Sequence, residues 1–207
     1  NWHGLLFEQN GRDVVADLER AAAGTPQRSI RFSTPTFKDY ASTELKGCAK
    51  NSFPSFSITA GACGLNCDHC RAEILKPMLA ATSPAMLDQK VRHLIATQDL
   101  QGFLLSGGSN RRNEIPYERY YPVVERLKRD FPQMSIAIHT ALTDEAGARA
   151  MEAAGVDTAM MDVIGAEETI REVYHLDRPV EDFEATLAAL CTTSMKVSPH
   201  IVVGLHY

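Results

Sequence analysis

Three of the chain's five cysteines fall within eight residues, Cys63-Gly64-Leu65-Asn66-Cys67-Asp68-His69-Cys70, in the spacing C-x3-C-x2-C. Thiols clustered this way, with no secretory leader legible ahead of them, point to a reducing cytoplasm and to metal binding rather than disulfides. An iron–sulfur cube takes four ligands, so three thiolates leave one iron open to another molecule. Four-cysteine zinc sites use two C-x2-C knuckles; here zinc would have to recruit His69 or a distant residue. His69 lies between two of the thiols, and the short ring it would close on the same ion is hard to form. An open-iron 4Fe-4S cluster therefore fits the spacing better than zinc, which stays as the alternative.

The elements around this loop must hold it. Phe56-Ser57-Ile58-Thr59-Ala60 reads as a short strand in front, and Arg71 to Ala81 as a helix behind. Pro84 to Thr97 is a second helix, followed by an apolar strand that runs from Gly102 into Gly107-Gly108-Ser109-Asn110. Tyr117 to Asp130 carries Tyr121, Val124 and Leu127 on one helical face. Met134 to Thr140 is a strand, and Asp144 to Ala154 a helix with Thr143 as N-cap and Gly155 as its stop. Thr158 to Val163 is a strand, Ala166 to Val173 and Val180 to Cys191 are helices, and Lys196 to Leu205 is the fifth strand. Strand and helix alternate and the strands are apolar, which predicts an α/β fold of parallel strands covered by helices. An open doubly wound sheet and a (β/α) barrel both satisfy this pattern.

Polar residues gather where these strands end, as they would at a barrel mouth. The glycine pair Gly107-Gly108 with Ser109 and Asn110 ends the second strand, His139 and Thr140 the third, and Asp162 the fourth. His200 lies in the fifth, on a side the sequence leaves open. Cys48 and Cys191 stand apart and read as small buried hydrophobes. Glu167 and Glu168 open a helix, where acids are favoured by the dipole, and Arg171 and Arg178 read as solvated.

Composition sets the outer limits. The chain has 207 residues, 44% of them hydrophobic and 23% charged, which suits one globular domain with a sizeable core. A net charge of −5 indicates no basic face for nucleic acid, and no apolar run reaches the ~20 residues of a membrane span. Residues 1–54, with a helical stripe over Asn10 to Ala23 and a short strand at Ile30 to Ser33, read as a lead-in that packs over the main domain or its mouth; residues 55–207 form that domain. The chain begins at Asn1 rather than Met, so some N-terminal sequence is expected to precede it.

The cysteine motif after the first strand, with a ring residue just before the last cysteine, resembles the radical S-adenosylmethionine (SAM) superfamily. The likeness spans about Phe56 to Leu205. It implies a partial (β/α) TIM-like barrel of about six strands; five are readable, and the sixth is expected beyond Tyr207. It implies that Cys63, Cys67 and Cys70 hold a 4Fe-4S cluster whose open iron is chelated by SAM. The cluster's electron then cleaves SAM to methionine and a 5′-deoxyadenosyl radical. His69 takes the place of a Tyr or Phe near the adenine. Gly107, Gly108, Ser109 and Asn110 take the place of a Gly-Gly-Glu-like segment that offers backbone groups to the SAM amino group, with Ser109 in place of Glu. Asp162 stands where family members bind the ribose hydroxyls, and Val203 in the apolar segment that lines the adenine. His139 is expected at SAM or substrate.

Within the superfamily, Ala154 to Asp162 and Pro199 to Leu205 look like the biotin-synthase and lipoyl-synthase branch. The run from Ser57 to Cys67 is most similar to the archaeal-type lipoyl synthases, which work as two homologous proteins. That resemblance implies sulfur insertion into an octanoyl chain on a carrier protein or peptide, a sister subunit, a low-potential electron donor, and a second auxiliary iron–sulfur cluster. Three other readings stay open. They are another enzyme of the branch (a cofactor maturase or a methylase), a non-catalytic iron–sulfur subunit, and a zinc-binding structural protein.

Overall fold

The computed structural model describes residues 52–202 and 204–206. The expectations for the lead-in up to residue 51, for Cys48 and for Val203 lie outside the described residues. Six parallel strands form one sheet: β1 (Ser55–Ser57), β2 (Leu79–Ala80), β3 (Gly102–Ser106), β4 (Ser135–His139), β5 (Thr158–Asp162) and β6 (Lys196–His200), in the order β2-β1-β3-β4-β5-β6. The helices are α1 (Pro84–Thr97), α2 (Tyr121–Asp130), α3 (Glu145–Ala153), α4 (Glu167–Glu172) and α5 (Val180–Cys191). From β1 through β3 to β6 the order advances in one direction. The order reverses once, at β1, and right-handed crossovers put the helices between β2 and β6 on one face, an arrangement a partial barrel also has.

The register divides the side chains cleanly. Phe56, Phe103, Leu105, Ile136, Ile138, Ala159 and Met161 share the face that is buried, and each is at most 2% exposed. They pack with Leu87 and Val91 of α1, Val124 and Leu127 of α2, Met151 of α3 and Leu190 of α5 in the same core. Burying each such side chain contributes on the order of 1.5–3 kcal/mol. The Phe56 and Phe103 rings meet edge to face, 5.6 Å between centroids. The opposite face carries Ser57, Ser106, Thr158, Met160, His139, Asp162 and His200, and β5 alternates half-buried with buried residues along its length. At the strand starts, the Asp157 carboxylate accepts the Ile136 N–H and pairs with Lys128 at 2.7 Å, tying β4, β5 and α2 together.

Two sequence expectations are corrected around the cysteines. The strand ends at Ser57, because Ser57 Oγ donates to the Ala60 carbonyl and Ala60 turns at φ +53°. Arg71 to Ala81 is not a helix: Arg71 and Ala72 both take left-handed backbone, at φ +46° and +58°, leaving one 3-10 turn at Glu73–Leu75. Pro77 follows, and Leu79–Ala80 pairs with β1. The sixth strand of the sheet is thus this short edge strand, inside the segment read as helical. The N-cap of α3 is Asp144, which accepts the Gly147 N–H at 2.8 Å, and not Thr143. Gly155 ends that stretch at φ +88°, as expected of a left-handed stop. Among the described residues, no helix is long and apolar enough to cross a membrane.

Candidate functional site

The cysteine loop leaves the C-terminal end of β1 and is held from two sides. On one side stands the loop after β3. Gly64 N–H donates to the Ser109 carbonyl at 2.7 Å, and Gly108 N–H donates to Thr59 Oγ1 at 2.7 Å. The Cys63 thiol lies 3.8 Å from the same Ser109 carbonyl. A Cβ added at Gly108 would collide with the Ala62 carbonyl oxygen and stand 2.6 Å from Cys63 Cα. The glycine pair therefore has a job the sequence did not announce: it lets two loops lie backbone against backbone.

On the other side is the segment after α4. Asp68 N–H donates to the Val173 carbonyl at 3.0 Å, and the Cys67 thiol donates to the Tyr174 carbonyl at 3.7 Å. The His69 ring lies 4.9 Å from the Tyr174 ring, and His175 reaches Asp68 at 3.1 Å. Asn66, Arg71, Ala72 and His175 all have positive φ without being glycine. So many left-handed residues around one loop store strain that the surrounding contacts must hold.

The three thiols face one another electrically. Burial, and then the neighbouring Cys63 and Cys70 thiols, push the Cys67 thiol up to about 12. Three such groups ionise together only when cations of high charge lie among them. Three thiols clustered on one loop beside the ends of β1 and β3 form a donor set that a metal centre would neutralise.

The remaining expected residues divide into two groups. Asp162, His139 and His200 come together on the open face of the sheet. Asp162 Oδ1 is 3.5 Å from Nε2 of His139 and 3.8 Å from Nδ1 of His200. Burial pushes the Asp162 carboxyl up, but His139, then His200 and His69, outweigh it and hold the group below the usual carboxylate range. Burial keeps both the His69 and His200 imidazoles below their ordinary value. Asn110 does something else: its side chain accepts the N–H groups of Arg112 and Glu114 and donates to the Glu114 carboxylate, closing its own turn. Cys191, expected as a small buried hydrophobe, instead sits exposed at the end of α5, and among the described residues no second cysteine grouping accompanies the triad. Sequence reasoning missed Tyr174, Asp68 and His175 as site residues, since nothing local marks contacts made across about a hundred residues. His200 could have been assigned, because it shares parity with Asp162 once β5 and β6 are paired.

An open cavity of about 1400 Å³ borders Cys63, Gly108, Ser109, Tyr121, Thr140 and Arg178. A smaller one of about 270 Å³ borders Asp162, Tyr174, His200 and Leu205. Both open at the C-terminal ends of the strands, where α/β folds of this winding take their ligands.

No protein-family model matches the chain, and no curated protein matches it. Solved structures do. Methylornithine synthase superposes with a TM-score of 0.55 at 13% identity, over 74% of this chain and 45% of that one. HydG, a maturase of the FeFe-hydrogenase, superposes with a TM-score of 0.55 at 13% identity, over 74% of this chain and 36% of that one. The chain spans less than half the length of either protein. Its winding and its cysteine loop at the end of β1 sit in a fold it shares with both: a parallel α/β sheet of the TIM-barrel-like type.

Proposed function

We propose that this chain is a radical SAM enzyme. The observation that carries the reading is the triad Cys63, Cys67 and Cys70 on a strained loop at the end of β1, in the spacing C-x3-C-x2-C and backed by the glycine pair that ends β3. The fold shared with radical SAM enzymes supports it. The three cysteines would hold a 4Fe-4S cluster; when bound, that cluster supplies the electron that cleaves SAM.

The chain's own residues do the positioning. The Ser109 carbonyl and the Gly108 backbone lock the triad against β3. The Gly107–Gly108 segment, held against the loop of Cys63, would offer its carbonyl oxygens to the amino group of a SAM chelated at the open iron. His69, tilted at 51° against the Tyr174 ring, would present an aromatic surface to an adenine. The Asp162 carboxylate, held ionised, is a double acceptor for a ribose diol.

For the substrate we propose an octanoyl chain on a carrier protein or peptide, with sulfur insertion as the reaction, the sulfur atoms given up by an auxiliary iron–sulfur cluster on a homologous sister subunit, and a low-potential electron donor. The similarity of Ser57 to Cys67 to the archaeal-type lipoyl synthases supports this. The shared fold with HydG favours a second reading, a cofactor maturase. Anaerobic reconstitution, reduction with dithionite and assay of 5′-deoxyadenosine test the class. An octanoylated peptide with the sister protein then tests the substrate. Thiolated octanoyl product supports sulfur insertion, and 5′-deoxyadenosine without it moves the chain to the maturase reading. Four irons with SAM left intact would point to a non-catalytic iron–sulfur subunit or to a missing partner.

A further inference from the structure

Three ligand-type side chains from adjacent strands converge outside the cysteine loop. His139 ends β4, Asp162 ends β5 and His200 ends β6, and Asp162 pairs directly with His200 across the sheet. Their donor atoms all lie within 4.8 Å of one another, and among the described residues no other three His, Cys, Asp or Glu side chains do. The 3.5 and 3.8 Å separations to Asp162 Oδ1 are longer than the ~2.7–3.2 Å of a hydrogen bond. Two ligands at ~2.0–2.1 Å from a tetrahedral ion stand ~3.4 Å apart, so each imidazole nitrogen stands from Asp162 Oδ1 about as two ligands of a shared ion do. Their side chains are 31%, 34% and 37% exposed, open enough to admit an ion and enclosed enough to hold one.

We propose that His139, Asp162 and His200 bind one divalent transition-metal ion of the Zn2+ or Fe2+ type, distinct from any cluster on the cysteines. Two imidazoles and one carboxylate suit those ions, and hard cations such as Mg2+ would prefer an all-oxygen set. All three ligands come from the sheet, so the remaining coordination positions point away from it, toward water or a substrate oxygen or nitrogen. Both imidazole contacts are made to Asp162 Oδ1, which leaves Oδ2 available to a hydroxyl. An ion and a ribose diol can therefore share this carboxylate.

The test uses the full chain with Cys63, Cys67 and Cys70 all changed to Ser, so that cluster iron does not mask the signal. Co2+ is titrated anaerobically and followed by its visible absorption. The expected result is one equivalent bound, with His139→Ala and His200→Ala each weakening it by more than the ~10–100-fold that loss of an outer-shell partner costs. No Co2+ signal, or a signal unchanged in His200→Ala, overturns the proposal. Should the cysteine-free chain not fold, zinc is measured in the zinc-supplemented wild type and in His139→Ala/His200→Ala at equal iron content. One equivalent more in the wild type supports the site, and equal zinc overturns it. Asp162→Ala that weakens SAM binding without changing metal content means a ribose contact alone, and also overturns it. Iron loading by the cysteines is read separately, so failure of the radical SAM reading leaves this result intact.

Discussion

Gly108 lies so tightly on Cys63 that a Cβ built on the glycine would stand 2.7 Å from the cysteine's own Cβ. Ala62 closes the other side with its carbonyl oxygen, and backbone cannot swing aside as a flexible side chain can. Gly108→Ala should therefore push the cysteine loop off the end of β3. We expect about 1–3 kcal/mol of destabilisation, the usual cost of overpacking, together with loss of iron on reconstitution. Thermal unfolding and iron content measure both. Wild-type iron in a stable Gly108→Ala variant would show that the loop tolerates displacement.

Cys67 is the buried member of the triad and the middle ligand. Two thiolates do not hold a cube, so Cys67→Ala should reconstitute with little iron and no brown colour. The substitution removes one buried sulfur, so the far-ultraviolet circular dichroism should stay native. Full iron content in this variant would sink the cluster assignment.

Without a cluster, Cys67 should be unreactive. Its thiol is buried and pushed up to about 12, and only the thiolate attacks an alkylating agent. Cys191 is exposed. Iodoacetamide at pH 8, followed by peptide mapping, should label Cys191 well before Cys67. Equal rates would mean that the loop opens in the cluster-free protein.

Tyr174 braces the loop through its ring on His69 and its carbonyl at the Cys67 thiol. The side chain is 6% exposed. Tyr174→Ala should cost about 3 kcal/mol, as for other buried aromatics, and weaken SAM binding. Tyr174→Phe keeps the ring and should stay within ~1 kcal/mol of wild type. Isothermal titration with SAM, beside denaturant unfolding, separates the two effects. A Phe variant as damaged as the Ala variant would assign the role to the hydroxyl.

Stability should fall with mild acid. His69 and His200 are both held below their ordinary value of 6.5, in each case first by burial. The folded state thus binds their protons more weakly than the unfolded chain does, and below that value the unfolded chain takes up protons first. Stability is therefore flat above about pH 7 and declines as pH drops through 6.5. Asp162, held low, acts in a separate window: its contribution is present at neutral pH and is lost progressively as pH falls from its ordinary value of 3.8 through its lowered folded value. Melting temperatures of the metal-free protein between pH 7.5 and 5.5 should show the decline, and a His69→Gln/His200→Gln variant should flatten it. An unchanged slope would place the acid sensitivity elsewhere.

By itself, the sequence determined the features written in local spacing. The three cysteines, the glycine pair, the strands at Gly102–Ser106 and Thr158–Asp162 and the helices at Pro84–Thr97 and Val180–Cys191 follow from residues near one another along the chain. Alternating and helical periodicities need only a short window to be seen. Tertiary structure decided the rest. The left-handed pair Arg71 and Ala72 broke a stretch of good helix formers and released β2 to the sheet edge. The clasp of Cys67 on Tyr174 joins residues 107 positions apart. His139, Asp162 and His200 meet only because three adjacent parallel strands have matched pleats, with His139 level with Met160, one pleat repeat below the Asp162–His200 pair. Such contacts leave no local trace, because the free energy that holds them comes from the packing of the whole sheet rather than from the preferences of the residues that touch.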